Sequence, residues 1–112
     1  MSEIPPNFQQ CIDWLRSDDA LTFEDGYHAL RSHVRAHRDH LVRLLQTELS
    51  PEMRGRLVEL LGETQDPSLA EVLHTQLETE HPQVIPWVLT ALERVGHPQI
   101  ADEYRKMHPE YD

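Results

Sequence analysis

A second cysteine, an apolar run of 18 residues and any Lys or Arg between Leu57 and Glu93 are the first things this chain lacks. A lone Cys11 cannot close an internal disulfide, and the absence of bridges fits a reducing cytoplasm. Without a long apolar run, no transmembrane helix is expected. The opening stretch MSEIPPNF has no basic segment followed by an apolar core, so no secretory signal is expected either. The 57–93 stretch holds seven acidic residues and no Lys or Arg, and the whole chain carries −10 at pH 7. Phosphate backbones are held mainly by Lys and Arg, so this balance argues against nucleic-acid binding. Also missing are a Gly-rich phosphate loop, a CxxC pair, a GxSxG elbow and an HExxH helix. Nothing announces catalysis, and neither an enzymatic activity nor a cofactor is expected.

What is present is one unit stated almost twice between Pro51 and Pro98. Pro51 recurs as Pro82, Met53 as Val84, Leu57 and Val58 as Val88 and Leu89, Leu60 and Leu61 as Ala91 and Leu92, and Pro67 as Pro98, always 31 residues on. A helical unit of that period cannot bury its apolar stripe alone and must stack on its neighbours.

The rest of the chain reads as helices separated by polar turns. Phe8, Cys11, Ile12 and Leu15 recur at helical spacing behind Pro5 and Pro6, with Asn7 as cap. Cys11, on that apolar stripe, reads as a small buried hydrophobe. Thr22 opens a second helix whose stripe is Phe23, Tyr27, Leu30 and Val34. No Pro or Gly interrupts 34–49, but repeat alignment of Leu41, Leu44 and Leu45 predicts a junction near Ala36–Asp39. Ser50-Pro51, Asp66-Pro67 and His81-Pro82 are helix starts with Pro at the first position, where a missing N–H costs nothing. Ile100, Ala101 and Tyr104 mark a last helix.

The phrases LVELLGETQDPSLAEVL and VIPWVLTALERVGHPQIADEYR resemble HEAT-type repeats, in particular the short class first described in phycobilisome lyases. Leu61-Gly62 before Asp66-Pro67 and Val95-Gly96 before His97-Pro98 carry the resemblance, which covers roughly residues 39–108. It implies an all-α superhelix, a HEAT-like solenoid of six or seven helices in antiparallel pairs. The expected organisation is N-terminal capping helices over 1–38, repeats over 39–67 and 68–98, and a capping helix over 99–112. In such arrays the second helix of each unit lines the concave surface, where partners sit.

That surface supplies the candidate site. On the Pro82–Val95 helix Trp87 lies about 60° from Val84, just outside the core arc, while Ile85 and Leu89 widen the arc on its other side. Arg56 and Arg54 hold the places of Trp87 and Ile85 one unit earlier. A partner-binding set of Arg54, Arg56, Glu59, Glu63, Trp87, Thr90 and Arg94 follows, with the Trp and Arg character of binding hot spots. The competing reading packs Trp87 on the last helix against Tyr104.

Two further clusters compete for a role. His33, His37 and His40 fall at i, i+4 and i+7, close enough on a continuous helix to converge on a metal ion, though no second residue type with metal-site spacing accompanies them. Arg31, Arg35 and Arg38 form a basic ridge, which either pairs with acids of the next helix or anchors an acidic segment. The leading functional reading is a protein-interaction module, whether adaptor, scaffold or immunity-type inhibitor, gripping a basic protein partner. The alternative is a metal- or chromophore-handling protein. A third possibility is self-association through Tyr104, Met107 and Tyr111.

Overall fold

Asp19, Ser50 and Asp66 each turn a side-chain oxygen onto a backbone N–H two or three residues ahead, that of Thr22, Met53 and Ser68 respectively. These caps satisfy donors that a helix start leaves orphaned. The computed structural model describes residues 8–112; Pro5, Pro6 and the Asn7 cap lie outside the described residues. Seven α-helices follow: α1 (Phe8–Leu15), α2 (Ala20–Ser32), α3 (Arg38–Thr47), α4 (Pro51–Glu63), α5 (Ala70–Thr75), α6 (Ile85–Arg94) and α7 (Pro98–Met107). Short 3-10 turns at Pro67–Leu69 and Pro82–Val84 lead into α5 and α6, and the described residues contain no strand. Helix α2 starts earlier than TFED suggests, because Asp19 rather than Thr22 is the cap.

The α2–α3 break falls at residues 33–37, ahead of the expected Ala36–Asp39. No Pro or Gly causes it. The hydrogen bonds tighten instead, with Val34 N–H donating to Arg31 O at 3.4 Å and Arg38 N–H to Arg35 O at 3.4 Å. Tertiary ties hold the turn open: Arg35 Nε donates to Thr64 O at 3.3 Å and Arg38 Nε to Asp66 at 2.6 Å. The basic ridge therefore pairs with the α4–α5 turn, and its three arginines do not share one helix.

Packing is by neighbours. Helix α1 lies on α2, α3 on α4, α5 on α6 and α6 on α7, while the second helices form a row in which α2 meets α4 and α4 meets α6. The stack measures 52 × 27 × 22 Å, elongated as a solenoid is and unlike helices gathered round one centre. A continuous seam of Leu15, Leu30, Leu41, Leu45, Leu57, Leu61, Leu73, Val88, Leu92 and Ala101 is fully or almost fully buried. The wide apolar arc of α6 also finds its reason here. That helix packs on α4, α5 and α7, and Ile85 and Leu89 are buried like the core positions. Cys11 is buried as expected, and burial pushes its thiol pKa up.

The N-terminal pair is clasped to the body by polar groups. Arg16 pairs with the buried Glu48 carboxylate, which also accepts from Ser50 N–H at 3.1 Å. The Arg16 hydrogen bond is the main reason that carboxyl stays below its ordinary pKa. Arg54 sits under the same loop, donating to Glu48 O at 2.7 Å, Leu45 O at 3.3 Å and the Gln76 side chain.

The two units end alike but with different residues. After α6, Gly96 takes φ +91° and His97 N–H reaches back to Leu92 O at 2.9 Å, the glycine C-cap arrangement. One unit earlier the left-handed position is Gln65, at φ +55°. Gly62, with the Thr64-Gln65-Asp66 turn one of two sequence candidates for ending this helix, is thus the last residue but one of α4, and the turn after it closes the helix. An L residue in that conformation costs roughly 1–2 kcal/mol. Gln65→Gly is therefore expected to raise stability by about 0.5–1 kcal/mol after the added unfolded-state freedom is subtracted, measured by urea unfolding. A loss of stability would mean that the Gln65 side chain holds the turn.

Candidate functional site

The exposed side of the α2–α4–α6 row is built in three levels. At the first, Phe23 of α2 lies under the Arg56 guanidinium of α4, 4.5 Å from ring centroid to Cζ, and Trp87 of α6 holds the place of Arg56 one unit on. Arg56 is fixed there by donating to Leu15 O at 2.7 Å. At the second, the Tyr27 hydroxyl donates to Glu59 Oε1 at 2.9 Å, and Thr90 follows on α6. Burial, then the hydrogen bond to Glu59, push the Tyr27 pKa up to about 12, so its proton stays on the donor. At the third, Glu63 receives Arg31 at 3.4 Å from one side and Arg94 at 2.7 Å from the other.

Two glycines set the spacing of α4 and α6. A Cβ at Gly55 would lie 3.0 Å from Trp87 Cδ1, and one at Gly62 would lie 3.1 Å from both Cα and Cβ of Ala91. The two are seven residues apart and so share a face, which lets α6 settle directly on α4. Trp87 rests its five-membered ring edge on Gly55 and stays 47% exposed. Beside it Glu59, Trp87, Thr90, Ala91 and Arg94 enclose a cavity of about 60 Å³.

Of the seven residues expected at the site, Glu59, Trp87, Thr90 and Arg94 line this cavity, and Glu63 holds Arg94 at its edge. Arg56 stands one unit back in the row, on Phe23. Arg54 is elsewhere, consumed by the loop and Gln76. Trp87 packs on α4; Tyr104 instead stacks on His108 at 4.2 Å and lies 5.9 Å from Tyr111, leaving Met107 as the exposed apolar residue of that end. Phe23 and Tyr27 were missed as site residues. Their helical spacing with Leu30 and Val34 reads as core stripe, and they do pack partly buried against the core; their offsets from Arg56 and Glu59, 33 and 32 residues, lie off the 31-residue register that pointed to the site.

The three histidines do not share a helix. His33 stands in the turn after α2, while His37 and His40 flank the Phe8 ring at 5.2 and 5.3 Å. Burial, aided by His40 and His33 nearby, pushes the His37 pKa down. Among the described residues no three His, Cys, Asp or Glu side chains are placed to hold a metal ion.

A family model described as HEAT repeats matches residues 38–103, more than half of the chain. No curated protein and no solved structure gives a significant match.

Proposed function

From the premise that this chain belongs to the HEAT-repeat family, whose members are generally protein-interaction modules, we propose that it binds a protein partner across the exposed side of the α2–α4–α6 row. The observation that carries this reading is Trp87. Only one edge of its ring is seated, on Gly55, and the side chain is left 47% exposed on a helix whose other large apolar residues are all buried. Trp and Arg in a sheltered position are the residues that dominate binding energy at interfaces. The chain's −10 charge favours a basic partner, drawn in by long-range attraction. An adaptor, a scaffold and an immunity-type inhibitor all use this chemistry, and the partner's own activity distinguishes them.

The test is affinity purification of a partner, its identification by mass spectrometry, and calorimetric titration of the purified pair. Trp87→Ala is expected to weaken binding about 30-fold, a loss of about 2 kcal/mol typical of a hot spot. Affinity should also fall as salt rises from 50 to 500 mM, since surface attraction is screened within a few ångströms at the upper end. Met107→Ser, on α7 and outside the cavity lining, should change neither. A partner indifferent to Trp87→Ala would place the interface elsewhere.

A further inference from the structure

We infer that the cavity beside Trp87 is an anchor for an arginine side chain presented by the partner, a proposal that rests on the binding-face reading above. The first reason is charge. Glu59 accepts one hydrogen bond, from the neutral Tyr27 hydroxyl, and stands in no ion pair among the described residues. Arg94, which lines the same cavity, has its NH1 on Glu63 Oε1 at 2.7 Å rather than on Glu59. A half-buried carboxylate next to an aromatic ring is thus left without a cation.

The second reason is the repeat itself. One unit back in the row the protein already seats an arginine on an aromatic face, Arg56 over Phe23 at 4.5 Å. The next aromatic at that level is Trp87, the side chain type that attracts cations most strongly through its face. Gly55 draws one edge of its ring onto α4, so the outward part of the ring remains free for a guest.

The third reason is size. About 60 Å³ matches the liquid volume of about two waters, enough for a planar guanidinium and too small for a cofactor-sized ligand. A guanidinium placed there stacks on Trp87 and donates to Glu59, with the Thr90 hydroxyl as a further acceptor on the cavity wall.

The probe is an acetylated, amidated Gly-Arg-Gly peptide, compared with the same peptide carrying citrulline, which has the shape of arginine and no charge. Binding is followed through the Trp87 indole N–H resonance in the full chain. The arginine peptide is expected to bind in the millimolar range and to shift that resonance. Citrulline should bind at least fivefold more weakly, and Glu59→Gln should weaken the arginine peptide by a similar factor, the size of a half-exposed cation–π contact with an ion pair. Equal binding of the citrulline peptide, indifference to Glu59→Gln, or no shift of Trp87 at all would overturn the arginine anchor. If the partner's affinity still responds to Trp87→Ala in that event, the interface reading survives it. If neither responds, both fall.

Discussion

Gly26→Ala is expected to lower stability by about 2 kcal/mol or more, although alanine is the better helix former by about 1 kcal/mol. The reason is that α1 crosses α2 at this point. A Cβ on Gly26 would lie 2.7 Å from Trp14 Cβ, 2.9 Å from Cys11 O and 2.9 Å from Leu15 N. Two of those three atoms are backbone, so no change of rotamer relieves the overlap and α1 must move as a body. The move breaks more than one contact. Leu15 O, on the displaced helix, is the acceptor that fixes Arg56, and Arg16 is the clasp on Glu48. Hydrogen exchange should show the loss concentrated over 8–32, with α3 to α7 retaining their protection, because each layer of such a stack contacts only the next. A variant more stable than the parent would show that helix propensity outweighs the contact. Uniform loss of protection would show that the N-terminal pair is not a separable layer.

How much of this was legible beforehand depended on the kind of signal. The 31-residue repeat carried the helices from α4 onward, since Pro51, Pro67, Pro82 and Pro98 punctuate them and Leu57, Leu61, Val88 and Leu92 recur at core positions. The α2–α3 break was placed a few residues late, because what makes it is a pair of arginines tied to Thr64 and Asp66, about 30 residues away. Composition holds no trace of such a tie. Whether Gly62 or the Thr64-Gln65-Asp66 turn ends α4 stayed open for a related reason: a glycine required by the neighbouring helix at 3.1 Å looks in sequence like one required by φ. In the candidate site, Trp87 and its neighbours followed from helical angle alone. Arg54 did not, since its angle says nothing of the carbonyls of Leu45 and Glu48 that hold it inward. The contribution of α2 to the row, through Phe23 and Tyr27, needed the turn geometry that shifts its register.

Leu57→Ala is expected to cost about 2–5 kcal/mol, the range for emptying a fully buried leucine site. Leu57 is 0% exposed in the middle of α4, and α4 is the helix that touches α2, α3 and α6. Where Gly26→Ala should open one end, this change weakens the element on which both ends lean. Against a total of roughly 5–15 kcal/mol for a domain, a loss of that size removes a large share of the folding free energy. Urea unfolding should shift to a lower midpoint as a single transition, with fluorescence and circular dichroism coinciding. Two separated transitions would mean that the units flanking α4 hold together without it. The same variant separates stability from recognition. Leu57 is not among the residues lining the Trp87 cavity, so at temperatures where the chain stays folded partner affinity should be nearly unchanged. Trp87→Ala should instead cut affinity at temperatures where the chain stays folded, and cost less stability than a fully buried site of its size, because about half of its surface is already exposed in the free protein. That opposite pattern is what a stacked array with a binding side requires: buried leucines hold the row together, and the side chains left outside it meet the partner.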